Sequence, residues 1–109
     1  MAKNFVQPGE TLTLTAPSGG VVSGSAYLIG SLLVIALISA AETELFQGKP
    51  RGVWVLPKTN AQAWAEGVKV YWDNTNKVVT TTATDNTLVG FAVEAAANPS
   101  ATGVVWLNN

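Results

Sequence analysis

The chain has 109 residues, enough for one domain with a core of its own. Hydrophobic residues make up 48% and charged residues only 12%, about half the usual charged share of a soluble domain. Net charge is −1, from six basic and seven acidic residues spread singly, which excludes phosphate-led binding of nucleic acid.

Cysteine and histidine are both absent. Disulfides, thiolate metal sites and a cysteine nucleophile are therefore excluded. So is the commonest general base and metal ligand. With so few charges to keep the surface wet, part of the apolar surface is expected to be buried against other chains.

Met1-Ala-Lys-Asn lacks the apolar core and cleavage site of a secretory signal. Residues 1–8 read as a flexible N-terminal arm on a single β domain, ending in the turn Gln7-Pro8-Gly9-Glu10. Thr11 to Thr15 alternates, with Leu12 and Leu14 inward and three threonines outward. Ala16 to Gly20 is a loop, Val21-Val22 begins a short strand, and Ser23-Gly24-Ser25 turns the chain. Ala26 to Ala41 is almost continuously apolar, but shorter than the ~20 residues a membrane helix needs. Gly30-Ser31 breaks it, and no basic cluster flanks it. It reads as buried strands, Tyr27 to Ile29 and Leu32 to Ile38, with no membrane partner.

Glu44 to Gln47 and Arg51 to Leu56 are further strands, the second ended by Pro57. Thr59-Asn-Ala-Gln62 fits a capping box, and Gly67 stands where a C-terminal glycine belongs, so residues 60–66 predict one short α-helix. Gly67 to Thr82 predicts a hairpin. Val68, Val70 and Trp72 fall on one face, Lys69, Tyr71 and Asp73 on the other, and Asp73-Asn-Thr-Asn76 makes the turn. Thr87 to Ala95 is a strand whose Gly90 predicts a bulge or bend, and Gly103 to Leu107 is the last strand. Segments 24–29, 32–37 and 52–55 repeat in the same order as 67–72, 77–82 and 90–93. Short strands at regular spacing predict an all-β fold, a small barrel or sandwich.

Little in this pattern carries chemistry. Glu42 and Glu44 could share acid and base roles, but a solvated edge explains them better. Asp73, Asn74, Asn76, Asp85 and Asn86 lack the residue order of a calcium loop and suit turns. Serines and threonines have no histidine to activate them, and no G-x-x-x-x-G-K-[ST] run is present. No catalytic residue, cofactor or metal is expected. Trp54, Trp64, Trp72, Trp106, Tyr27 and Tyr71 could stack on sugars or bases; core and subunit anchors are the better reading.

Met1 to Pro17 and Gly20-Val-Val-Ser-Gly24 together resemble the start of a family of small tailed-phage proteins. Arg51-Gly-Val-Trp-Val-Leu-Pro-Lys58, Gly67-Val-Lys-Val-Tyr-Trp-Asp73 and Leu88-Val-Gly-Phe-Ala-Val93 resemble further blocks in the same order. The family is that of capsid cement, or decoration, proteins, some of which carry a RecA/RadA-like recombinase label. The missing phosphate loop, near-neutral charge and short chain argue against that label. The resemblance implies a structural virion protein, made in the host cytoplasm, that binds the outer surface of the major capsid protein shell and stabilises it. A carbohydrate- or receptor-binding virion module is the alternative. The apolar run Leu32 to Ile38 departs from the more polar, glycine-containing segment expected there.

Two candidate contact regions follow. Ala2, Lys3, Asn4, Phe5, Val6 and Gln7 would contact the capsid, adding a strand to a sheet edge. Leu32, Leu33, Val34, Ile35, Leu37 and Ile38 would lie at the interface of a homo-oligomer, a trimer in preference to a dimer. A small barrel has one inner face to bury, and this strand is apolar on both.

Overall fold

The computed structural model describes residues 11–108. Nine strands form two antiparallel sheets: β1 (Leu12–Thr15), β2 (Ala26–Ile29), β3 (Leu32–Ala36), β4 (Leu45–Lys49), β5 (Arg51–Pro57), β6 (Lys69–Asp73), β7 (Val78–Thr80), β8 (Thr87–Ala92) and β9 (Thr102–Asn108). The first sheet has the order β1-β4-β3-β2 and the second β5-β9-β8-β6-β7. The second sheet curls into a half-barrel. Its edges meet where Lys58, just past β5, bridges Val79 of β7 and Thr59 N–H donates to Val79 C=O at 2.9 Å. The all-β expectation holds, and the expected strands are present with ends moved by a few residues.

The helix expected over residues 60–66 does not form, and no α-helix is present among the described residues. Tertiary partners take the groups a helix would need. Gln62 does not cap; its Nε2 donates to Thr80 Oγ1 at 2.9 Å, and its Oε1 accepts from Thr81 N–H at 3.1 Å. Trp64 exchanges backbone hydrogen bonds with Ala96 at 2.9 and 3.0 Å. These bonds tie the segment to its neighbours and replace the i→i−4 ladder that propensity alone favours.

The apolar run at Leu32–Ala36 lies between two cores. Leu33 and Ile35 pack into the larger core with Leu56, Trp64, Val70, Trp72, Val79, Val89, Val105 and Leu107. Val34 and Ala36 pack into a smaller one with Ala16, Val21 and Phe46. Both faces of β3 are thus buried within one chain, and Leu33 and Val34 have no exposed surface. Gly30-Ser31 makes the β2–β3 turn, and no described helix is long and apolar enough to cross a membrane.

The two sheets are copies of one unit. β1, β2, β3 and β4 correspond to β5, β6, β8 and β9, with β7 inserted. Registers agree residue by residue. Thr13↔Gln47 matches Val55↔Val104, Leu14↔Phe46 matches Leu56↔Gly103, and Ile35↔Lys49 matches Phe91↔Trp106. The loop bridge Val21↔Ala40 matches Trp64↔Ala96. Gly24, at φ +89°, donates to Ala36 C=O as Gly67, at φ +88°, donates to Ala92 C=O. Sequence comparison places the first element of the repeat correctly, 24–29 against 67–72. It misplaces the second and the third, since 52–55 lies in β5, the counterpart of β1, while 90–93 matches the end of β3. Residues 32–37 correspond to 88–93, because β7 has no counterpart in the first unit. The match breaks at a bulge, where Val70↔Gly90 is followed by Tyr71↔Leu88 and Val89 is the extra residue.

Each unit fills its interior differently. Phe46 and Val21 in the first unit become Gly103 and Trp64 in the second, and Val34 and Gly48 become Gly90 and Val105. A Cβ at Gly103 would run into the Trp64 ring, and one at Gly48 would sit 3.0 Å from Val34. Large and small residues exchange places so that volume is kept, as close packing demands.

The β6–β7 turn is held by Asp73. Asn76 Nδ2 donates to its Oδ2 at 2.8 Å, and the Asn76 and Thr75 backbone N–H groups donate to Oδ1 at 3.1 and 3.0 Å. These bonds, the Asn76 side chain foremost, hold the carboxyl below its ordinary pKa.

Two outcomes are expected. Gly103→Ala should destabilise the fold by about 1–3 kcal/mol through overpacking. Against a Trp64→Val background that cost should shrink, giving a coupling measurable by urea unfolding of the four proteins. For Asp73, the folded carboxyl is the stronger acid, so its stabilisation exists above the unfolded value of about 3.9 and disappears as pH falls through the folded one. Asp73→Asn should therefore be less stable than the parent near neutral pH and converge with it in acid. Unfolding midpoints across a pH series measure this.

Candidate functional site

The residues suspected of chemistry are occupied in turns and cores. Glu44 Oε1 accepts from Ala41 N–H at 2.9 Å, which caps the turn before β4, and Glu42 is exposed. Among the described residues no group of three or more acidic side chains could hold a metal ion. Asp73 and Asp85 line an open cleft of about 510 Å³ with Thr80, Thr82, Thr84 and Asn86. Its one strongly hydrogen-bonded carboxylate, Asp73, is spent on its own turn, and no aromatic ring lines the cleft on which a sugar could stack.

The aromatic residues do not form a platform. Trp64 and Trp72 are buried in the main core. Trp54 Nε1 donates to Arg51 C=O at 3.1 Å, and Tyr27 Oη accepts from Val22 N–H at 2.8 Å. Trp106 alone among the tryptophans is well exposed, at 43%. It leans on Phe91 with ring centroids 6.0 Å apart.

Trp106 belongs to an apolar surface. Val53, Trp106 and Phe91 lie in one row across β5, β9 and β8, as their pairing registers require. Val55 pairs with Val104 in the next row, and Val93 N–H donates to Val104 C=O at 3.1 Å. Val53 and Val55 are 60% and 67% exposed. Beside them Glu66, Gly67, Phe91, Ala92, Val93 and Trp106 line a shallow hollow of about 440 Å³ whose exposed surface is apolar, with the Glu66 side chain at its margin through its carbon atoms. Among the described residues this outer face of the second sheet is one apolar surface left open; Val22, Leu37, Ile38 and Leu45 are exposed on the first unit. Its signal was present in the sequence, since Arg51 to Leu56 is apolar on both faces, but strand alternation alone does not say which face lacks a cover.

The regions expected to make contacts are two. Ala2 to Gln7 fall outside the described residues. Of the expected subunit interface, Leu33, Val34 and Ile35 are enclosed by the chain itself and Leu32 is half-buried. Leu37 and Ile38, just past β3, are exposed at 40% and 47%. The second face of β3 therefore finds its cover in its own chain.

Sequence reasoning passed over Lys58. This lysine is buried, and its Nζ donates to the carbonyls of Thr59, at 2.8 Å, and Gln62. The charge also lies 5.5 Å from the centre of the Trp64 ring. Its counterpart in the first unit is Ala16. Lys58 holds the Thr59–Gln62 loop at the seam of the half-barrel, which is a structural task.

No curated protein and no solved structure matches the chain. The family of phage cement proteins matches residues 6–107, nearly the whole of it. The all-β fold, the duplicated sheet unit and the open apolar face suit a protein that works by contact, and by that match the chain belongs to the phage cement protein family.

Proposed function

We propose that this protein binds the outer surface of the major capsid protein shell as a homo-oligomer, a trimer in preference to a dimer, and stabilises the shell. The observation that carries this reading is the family match over residues 6–107. A partner that binds the assembled shell and not its separated subunits favours assembly by mass action. The rigid core and the exposed apolar face support a role in contact, and the protein works without catalytic residues, cofactor or metal. It is made in the host cytoplasm and ends on the virion surface.

Capsid contact is assigned to Ala2, Lys3, Asn4, Phe5, Val6 and Gln7. These residues lead into β1, an edge strand of the first sheet, and an added strand there is a common mode of peptide docking. Leu37 and Ile38 are the exposed part of the Leu32–Ile38 interface region and remain available to a neighbour.

Purified protein added to undecorated shells should co-sediment with them and raise the temperature at which they release DNA. Shells that neither bind it nor gain heat resistance would overturn the reading. Deleting Ala2 to Val6 should weaken that binding at least about tenfold, a loss of ~1.4 kcal/mol, and leave the circular dichroism spectrum unchanged. The purified chain should also show no ATP hydrolysis above a buffer blank and no ATP-dependent strand exchange.

A further inference from the structure

We infer that Lys58 is a latch: its ammonium group shuts the second sheet into the half-barrel, and the seam it closes opens as a local unit when that group is removed. β5 and β7 are the edges of this sheet, and an uncovered edge offers unpaired N–H and C=O groups to other strands. The backbone joins the two edges thinly, through the Lys58–Val79 bridge and the bond from Thr59 N–H to Val79 C=O. Beyond it, Thr59 to Ala63 is an irregular strap. Lys58 Nζ lies among three backbone carbonyls, those of Thr59 at 2.8 Å, Gln62, and Ser100 at 3.5 Å. No other donor among the described residues reaches these three oxygens. An ammonium carries three N–H groups, so donors and acceptors match in number. Ser100 belongs to the β8–β9 loop, which also grips the strap: Ser100 N–H donates to Asn60 C=O at 3.1 Å and Asn98 Nδ2 to Ala61 C=O at 3.3 Å. One side chain thus ties the end of β5 to both loops at the seam.

The first unit shows the same junction without the latch. It has no strand in the place of β7, and Ala16 stands where Lys58 does. There Thr43 N–H donates to Ala16 C=O at 3.1 Å, so the loop stays on its own sheet. In the second unit the corresponding N–H, that of Ser100, donates to Asn60 instead. The loop up to the bridge is one residue longer, Thr59 to Ala63 against Pro17 to Gly20. It leaves its sheet to reach Thr80 and Thr81 through the Gln62 side chain. Inserted strand, longer loop and lysine therefore occur together. A loop displaced in this way loses its ladder partners, and the ammonium supplies the missing donors. All three acceptors are neutral, so the lysine is held by these hydrogen bonds and by the Trp64 ring, not by an ion pair. The strap also walls the polar cleft through Thr59 and Gln62, and it covers the free edge of β7, whose Val79 is fully buried. Release of the latch opens both.

This inference does not depend on shell binding, so its test needs no capsid. Lys58→Met keeps a side chain of similar length and removes every donor. Hydrogen exchange of the full chain, read segment by segment by mass spectrometry, should speed up at least about tenfold in the Thr59–Gln62 strap, in β7 and in the loop before β9. β3 and β4 of the first unit should keep the parent's rates. If Lys58→Met fails to fold by circular dichroism, Lys58→Gln carries the test: it keeps two donors without the charge and should speed the same segments about threefold. A folded variant whose strap and β7 exchange as slowly as the parent's overturns the inference. So does an acceleration spread evenly over both units, because the seam is then part of the global fold and not a unit that opens by itself.

Discussion

The structure depends on β3 being buried from both sides. Leu33 and Ile35 face the half-barrel, Val34 and Ala36 face the small core, and the strand between them is the partition. Each sheet alone would be a curled antiparallel layer with one apolar face exposed. Joining them through one strand lets a chain of this size enclose two cores and supply the second cover internally. A charge on either face of β3 would leave an unpaired ion in an apolar site, at a cost on the order of 3–5 kcal/mol. The strand's low charge and β-branched content follow from that position and need no membrane or partner to explain them.

The alternation of Val68, Val70 and Trp72 against Lys69, Tyr71 and Asp73 was legible because one face of β6 is buried and the other is not. The bulge beside Gly90, at Val89, was legible because glycine in an apolar strand marks a bulge, a bend or a close approach, and a Cβ at Gly90 would also strike the Trp106 carbonyl. The helix over residues 60–66 was misread for the opposite reason. Its cues are local, and the outcome was decided by Thr80, Thr81 and Ala96, which are distant in sequence. The same limit applies to β3. Apolar residues on both faces show that two covers exist but not who provides them.

The duplication was half legible, and its obscurity has a physical cause. A core conserves volume across several positions and not at each one. Phe46 opposite Leu14 corresponds to Gly103 opposite Leu56, with the missing bulk returned by Trp64 where the first unit has Val21. Aligned position by position, a phenylalanine meets a glycine and a valine meets a tryptophan. The resemblance survives best in the backbone, as paired registers, two loop bridges and two left-handed glycines.

The two units differ outside as well as inside, and the outer difference bears on function. The first unit's uncovered positions are mixed, with Thr13 and Thr15 beside an exposed Leu45, and its Leu33 and Ile35 are met by the second. The second unit has no third unit to meet its own β5, β9 and β8, yet keeps those positions apolar. A duplicated sheet that stacks in one direction always leaves one end unsatisfied. Valine, valine and tryptophan stand at the places held by threonine, glutamine and lysine in the first unit, so at these positions the second unit's outer face is the more apolar of the two. The end of the stack formed by β5, β9 and β8 therefore keeps Val53, Val55 and Trp106 in the open, at 60%, 67% and 43%.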